Sequence, residues 1–349
     1  MTSPRSVRRA VERRRRFGLA VGVAVVVLAA AFAIVATGLS GGAGDDHPAG
    51  SAPSPSDTAP GVTRRPTTTT PPTTAATPGT TTPTSTTQPL SPLPVDRTYA
   101  VGTRALTFVD SSRPTSPNGD FAGASTRTLP TQFWYPAEGD AGGEPHPDGS
   151  PDRAHGPYPL VVFAHGYNVT PDFYAPLLER WAAAGYVVVA PTFPILSGIP
   201  GGASHVDYDK TFGDTSFVIG QVLAIGAGEP LGGLVDPARI AVTGHSDGEA
   251  VAFGVGFFTC CRDPRVRSVI AMAGDLSNAN NPSVRDSGTP ILHIMETGDE
   301  YDPYPHSIEW DRENLTPPRW MLTLQSTHVP PYTQPGDPAF ELVNKVTIA

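Results

Sequence analysis

Cysteine is almost absent: Cys260 and Cys261 are the only two in 349 residues, and they are adjacent. No disulfide framework can be built from them, and they lack the spacing of a thiolate zinc site. Outside a cell such neighbours either close a vicinal bridge or remain two thiols at the end of a buried helix, and the sequence leaves both open. A P-loop, a dinucleotide fingerprint and any internal repeat are also missing, which argues against nucleotide-driven and solenoid classes. Basic charge is scarce over most of the chain. Residues 1–16 hold seven Lys+Arg and one Asp+Glu, leaving 17 and 32 for the rest, so the tail is +6 and the remainder −15. No nucleic-acid partner is expected, because the positive charge is not on the part that folds.

Charge is absent altogether from Phe17 to Ser40, FGLAVGVAVVVLAAAFAIVATGLS. About 20 apolar residues cross a bilayer as a helix, since every backbone polar group is then paired internally. Arginines ahead of the span stay inside the cell. Residues 1–16 are therefore expected to be a cytoplasmic tail, 17–40 a transmembrane signal anchor, and the rest extracytoplasmic. The rival is a cleaved secretory signal, with Ala31-Phe32-Ala33 as its site, although such a signal has an apolar core of only about 7–15 residues. Residues 41–96 follow as a spacer. Between Pro48 and Pro94 lie 12 prolines and 15 threonines, with too few large apolar side chains to offset the entropy of ordering. The tract Thr67-Thr68-Thr69-Thr70-Pro71-Pro72 has the composition of O-glycosylated stalks.

Residues 97–349 are long enough for one large domain. Short β-rich runs alternate there with helix-length amphipathic ones. Strands are expected at Ala105–Val109, Thr131–Tyr135, Leu160–Ala164, Val187–Ala190, Ile240–Thr243, Ser268–Met272, Ile291–Ile294 and Met321–Leu324. Helices are expected at Asp172–Ala184, Asp214–Ile225, Asp247–Phe258 and Pro338–Val346. Several strands are continuous apolar runs, as in a parallel sheet covered on both faces. The fold class is α/β, with a mostly parallel eight-stranded sheet flanked by helices.

Gly244-His245-Ser246-Asp247-Gly248 matches G-x-S-x-G, a pattern too common to count alone. Its setting is more specific: Arg239–Thr243 reads as a strand running into the turn and Ala250–Phe253 as a helix leaving it. Gly244 and Gly248 suit a sharp strand-to-helix elbow where a side chain would collide with its neighbours. Ser246 would project at the carboxyl edge of the sheet, where it needs a base and an acid to orient that base. Downstream histidines are His293, inside an apolar strand, His306, at a loop-to-helix junction, and His328, in a loop after a late strand. His328 is the expected base. Asp299 is the expected acid, being four residues before Pro303, with Asp302 as runner-up and Glu300 a solvated charge. The oxyanion hole would be formed by the backbone N–H groups of Asp247 and of Tyr167, the latter after His165-Gly166. His165 reads as a brace for that loop rather than a second base.

VVFAHGYN (Val161–Asn168), DPARIAVTGHSDG (Asp236–Gly248), ETGDEYDPYPHS (Glu296–Ser307) and QSTHVPPY (Gln325–Tyr332) together resemble the α/β-hydrolases. The resemblance is to the lidless group of dienelactone-hydrolase-like, platelet-activating-factor-acetylhydrolase-like and cutinase-like esterases. It covers residues 97 onward and implies a serine esterase without metal or organic cofactor, acting on a small-molecule or lipid-like ester. Ser246, Asp299 and His328 would be its triad. No cap domain fits in the short polar loop between Ala273 and Pro290. Three residues or features depart from the group: Asp247 and Glu249 replace an apolar and a small residue, and the closing helix is short. The same triad would serve a peptidase or an acyltransferase, and the same fold a non-catalytic surface protein.

Overall fold

The computed structural model describes residues 98–274, 284, 288–302 and 314–348, all within the compact unit Thr86–Ala349. The basic tail, the apolar segment 17–40 and the spacer 41–96 lie outside the described residues, as do His306 and most of the loop after Gly274. No helix among the described residues is long and apolar enough to cross a membrane.

Strands β4 (Tyr158–Ala164) and β5 (Val187–Pro191) bury every residue they contain. Leu160, Val162, Val187 and Val189 point to one face and pack with Val218 and Phe253. Val161, Phe163 and Val188 point to the other and pack with Leu177, Trp181 and Phe340. Unbroken apolar runs are what a strand needs when both faces are covered, and these two strands sit inside the sheet. The others are β1 (Ala100–Asp110), β2 (Arg127–Ala137), β3 (His146–Pro147), β6 (Val235–His245), β7 (Ser268–Met272), β8 (Ile291–Glu296) and β9 (Arg319–Leu324). Their order across the sheet is β3-β1-β2-β5-β4-β6-β7-β8-β9. Only β2 runs against its neighbours, antiparallel to β1 and β5. All other pairs are parallel, so the loops after β4, β5, β6 and β8 leave from one carboxyl edge.

The described strands number nine, not eight. The additional one pairs only two residues, His146 and Pro147, with Gly102 and Thr103, too short a stretch to leave a pattern in the sequence. The first two strands are also longer than expected, registered from Ala100 opposite Ala137 to Asp110 opposite Arg127. The outer half of β1 alternates exposed and half-buried residues, which blurs its sequence signal. Helices are α1 (Ala175–Ala183), α2 (Thr211–Leu223), α3 (Asp247–Phe257), α4 (Pro330–Thr333) and α5 (Pro338–Ile348). α1 starts after a 3-10 turn, Pro171–Tyr174, instead of at Asp172. The closing helix, though short, is well anchored: Phe340 and Val343 are buried, and Trp181 Nε1 donates to Thr347 at 2.9 Å. Cys260 and Cys261 are joined as a vicinal disulfide.

One polar cluster fixes the long connection from β5 to α2. The guanidinium of Arg127, fully buried, meets Asp207 at 2.6 Å and Asp214 at 2.5 Å, and Lys210 reaches Asp207 at 2.7 Å. Burial alone would raise the Asp207 carboxyl, but bonds from Lys210, Ser116 and Arg127 hold it down to about 2. A buried ion pair of this sort contributes position more than stability.

Candidate active site

β6 ends in the elbow. Ser246 has φ 58° and ψ −128°, a conformation that costs a side-chain-bearing residue energy and that the surrounding packing must hold. A Cβ at Gly244 would overlap the Gly248 carbonyl, and one at Gly248 would overlap the Ala164 carbonyl, so both positions are closed to anything larger. The Ser246 N–H donates to Met272 O at 3.0 Å, tying the elbow to β7. α3 then begins at Asp247, with the serine at its amino end.

His328 and Asp299 meet as expected. Nδ1 of His328 is 2.7 Å from Asp299 Oδ2, while the N–H groups of Tyr301 and Asp302 donate to Asp299 Oδ1 at 2.8 and 3.0 Å. Burial pushes the Asp299 carboxyl up, but these three donors outweigh it and the net shift is downward, which keeps the acid ionised. Asp302, the runner-up, thus supports Asp299 through its backbone. A carboxylate can only accept, so Nδ1 carries the hydrogen and Nε2 is left as the basic nitrogen. Asp299, Asp302 and His328 also offer three ligand atoms within 4.8 Å of one another, but the His–Asp bond accounts for their closeness.

Ser246 Oγ makes no hydrogen bond with any described residue; His328 is tied to the elbow through His245. The ring of His245, adjacent to Ser246, lies 4.7 Å from that of His328, and its Nε2 donates to the His328 carbonyl at 2.8 Å. Its Nδ1 is 2.9 Å from Tyr174 Oη, which also accepts the Gly166 N–H at 3.3 Å. Burial, reinforced by His328, drives the His245 imidazole down to about 3, so it is neutral and its bare Nδ1 accepts from the tyrosine. The loop after β4, the elbow and the loop after β9 are thereby joined in one chain of hydrogen bonds. Sequence reasoning missed both His245 and Tyr174. His245 passed as the variable position of the motif, and Tyr174 carried no signal at all.

His165 is a brace, as its setting in the sequence suggested. Nδ1 donates to Gly166 O at 2.8 Å and Nε2 accepts the Phe193 N–H at 2.9 Å, so both nitrogens are occupied. Burial lowers its imidazole to about 4, which keeps it neutral. Gly166 packs under the elbow, where a Cβ would sit 3.1 Å from that of Ser246. The N–H groups of Tyr167 and Asp247 are not engaged by any described residue. The Asp247 carboxylate is held from outside, with Oδ2 at 2.6 Å from His205 Nε2. Glu249 is wholly buried, 3.6 Å from the equally buried His293. Nearby, Tyr332 donates to Glu296, whose carboxyl burial raises to about 8.

An elbow on a central parallel strand, with a histidine–carboxylate pair from later loops at the same edge, defines an α/β-hydrolase. The comparisons with known proteins agree. A family model described as chlorophyllase matches residues 149–273. The structure of a ferulic acid esterase from Streptomyces cinnamoneus is similar, with 25% sequence identity and a TM-score of 0.50, over 67% of this chain and 74% of that one. No curated protein matches. Together with the fold, these findings place the chain among the ester-hydrolysing α/β-hydrolases.

Proposed function

We propose that the protein hydrolyses carboxylic esters through an acyl-enzyme on Ser246. The serine Oγ attacks the ester carbonyl as its proton passes to His328 Nε2. The leaving alcohol takes that proton, and water activated by the same nitrogen then releases the acid. Asp299 orients and stabilises the imidazolium. Tyr167 and Asp247 would give their N–H groups to the oxyanion, the term usually worth most in acyl transfer. The observation that carries this reading is the 2.7 Å contact between His328 and Asp299, made on a ring that packs against the residue preceding Ser246. The substrate is a small-molecule or lipid-like ester, in keeping with the esterase likeness. No step requires a cofactor. Residues 17–40 act as a membrane anchor with the catalytic domain outside, a reading supported by the uncharged run after an arginine-rich tail.

A fluorophosphonate probe tests the chemistry. Wild-type protein labels and hydrolyses p-nitrophenyl esters, and Ser246→Ala does neither. Turnover retained in folded Ser246→Ala refutes the mechanism.

A further inference from the structure

The two segments that would donate to the oxyanion are joined from outside by a residue with no role in the triad. His205 lies in the connection between β5 and α2. Its ring stacks on Tyr167, with centroids 4.7 Å apart and planes 20° apart. Its Nε2 lies 2.6 Å from Asp247 Oδ2, and since a carboxylate only accepts, the ring N–H donates. Tyr208 packs edge-on against the same ring at 5.5 Å and donates its hydroxyl to the Asp247 carbonyl at 2.6 Å. One imidazole therefore touches both candidate donor residues.

The connection carrying it is firmly tied down. Tyr167 Oη donates to Ala203 O at 2.9 Å and the Asn168 N–H to Leu196 O at 2.8 Å. Asn118 Nδ2 holds the carbonyls of Pro200 and Gly202 at 3.0 and 2.7 Å. Asp207, two residues beyond His205, is the buried partner of Arg127. His205 itself is 58% exposed, so neither core packing nor burial explains the place of its ring.

Asp247 presents an electrostatic difficulty that this arrangement answers. Its N–H faces the developing oxyanion, while its side chain carries the same sign of charge as that oxyanion. A carboxylate free to turn toward the site would oppose the transition state. We infer that His205 is a positioning residue, whose N–H holds the Asp247 carboxylate turned away from the oxyanion and sets the Tyr167 and Asp247 segments in register. This rests on the serine mechanism proposed above.

The test uses the full chain and p-nitrophenyl butyrate. His205→Phe keeps a ring to stack on Tyr167 but cannot donate, whereas His205→Gln can donate but does not stack. His205→Phe is expected to lower kcat by about tenfold or more, short of the hundredfold or greater loss from deleting an oxyanion donor, with KM within about twofold. His205→Gln should recover most of it. Removing the charge as well, in His205→Phe/Asp247→Asn, should restore kcat to near that of Asp247→Asn alone, because the repulsion is then gone. Two outcomes overturn the inference: kcat of His205→Phe close to wild type, or a loss in the double variant equal to the product of the single ones. Ser246→Ala in the same assay separates the two claims. Activity there refutes the mechanism itself, while inactivity alongside a fully active His205→Phe refutes only the role of His205.

Discussion

Replacing Tyr174 by phenylalanine removes one oxygen from the centre of the hydrogen-bond chain under the site. The side chain is 1% exposed, and its hydroxyl accepts the Gly166 N–H at 3.3 Å while donating to His245 Nδ1 at 2.9 Å. Without it, a buried amide and a buried imidazole nitrogen lose their partners, at about 1–3 kcal/mol each. The amide bond is long, so its share falls near the lower end, and the sum is about 3 kcal/mol. For a domain of this size each kcal/mol moves Tm by about 2–4 °C, giving a fall of about 6–12 °C. Calorimetry and urea denaturation measure it. The same change loosens Gly166, which precedes the proposed Tyr167 donor, and His245, which holds the His328 carbonyl at 2.8 Å. A drop in kcat of about tenfold, larger than any change in KM, is therefore expected. A Tm within 2 °C of wild type, about 0.5–1 kcal/mol, would show that the hydroxyl does not hold these segments together.

Two further perturbations probe neighbouring groups. Asp299→Asn replaces the acceptor of the His328 Nδ1 hydrogen with an amide that can favour the wrong tautomer, and kcat should fall by about a thousandfold or more while probe labelling of Ser246 slows in parallel; an unchanged kcat would exclude Asp299 from the triad. Glu296 has a carboxyl raised from 4.5 to about 8, so the folded protein keeps a proton that the unfolded chain releases between those values. That group's contribution is complete below pH 4.5 and fades as pH climbs to 8, at up to about 1.4 kcal/mol per pH unit. Glu296→Gln can still accept from Tyr332, and urea melts should show it gaining on wild type from pH 5 to pH 8; parallel curves would mean the carboxyl is not held neutral.

What could be read from the sequence follows from how local each signal is. β4 and β5 announced themselves because a doubly covered strand has no room for polar residues, and Leu160–Ala164 and Val187–Ala190 contain none. The elbow was legible because both glycines fall within one five-residue motif, although only Gly244 is closed by a local atom, the Gly248 carbonyl, while Gly248 is closed by the Ala164 carbonyl of β4. His328 was separable from His293 because loops after strands reach the carboxyl edge and residues inside strands do not, whereas Asp299 and Asp302 share one loop and only the offset to Pro303 favoured Asp299. Tyr174, His205 and His245 act across the fold, through partners 8 to 83 positions away, and no spacing marks them. Glu249 is hard to place from the sequence for a related reason. An acidic residue in a first turn is electrostatically favourable wherever it points, and only the packing of α3 against its neighbours shows that this one points inward.

Strand β1 runs the same way as the central strands, so Tyr99 and Ala100 sit at the rim opposite Ser246, where the Tyr99 N–H is fastened to the Ala183 carbonyl at 2.8 Å. A purification handle or immobilising link fused just ahead of that point would emerge behind the sheet. An enzyme fixed to a bead in this way keeps the carboxyl edge of its sheet turned to the medium.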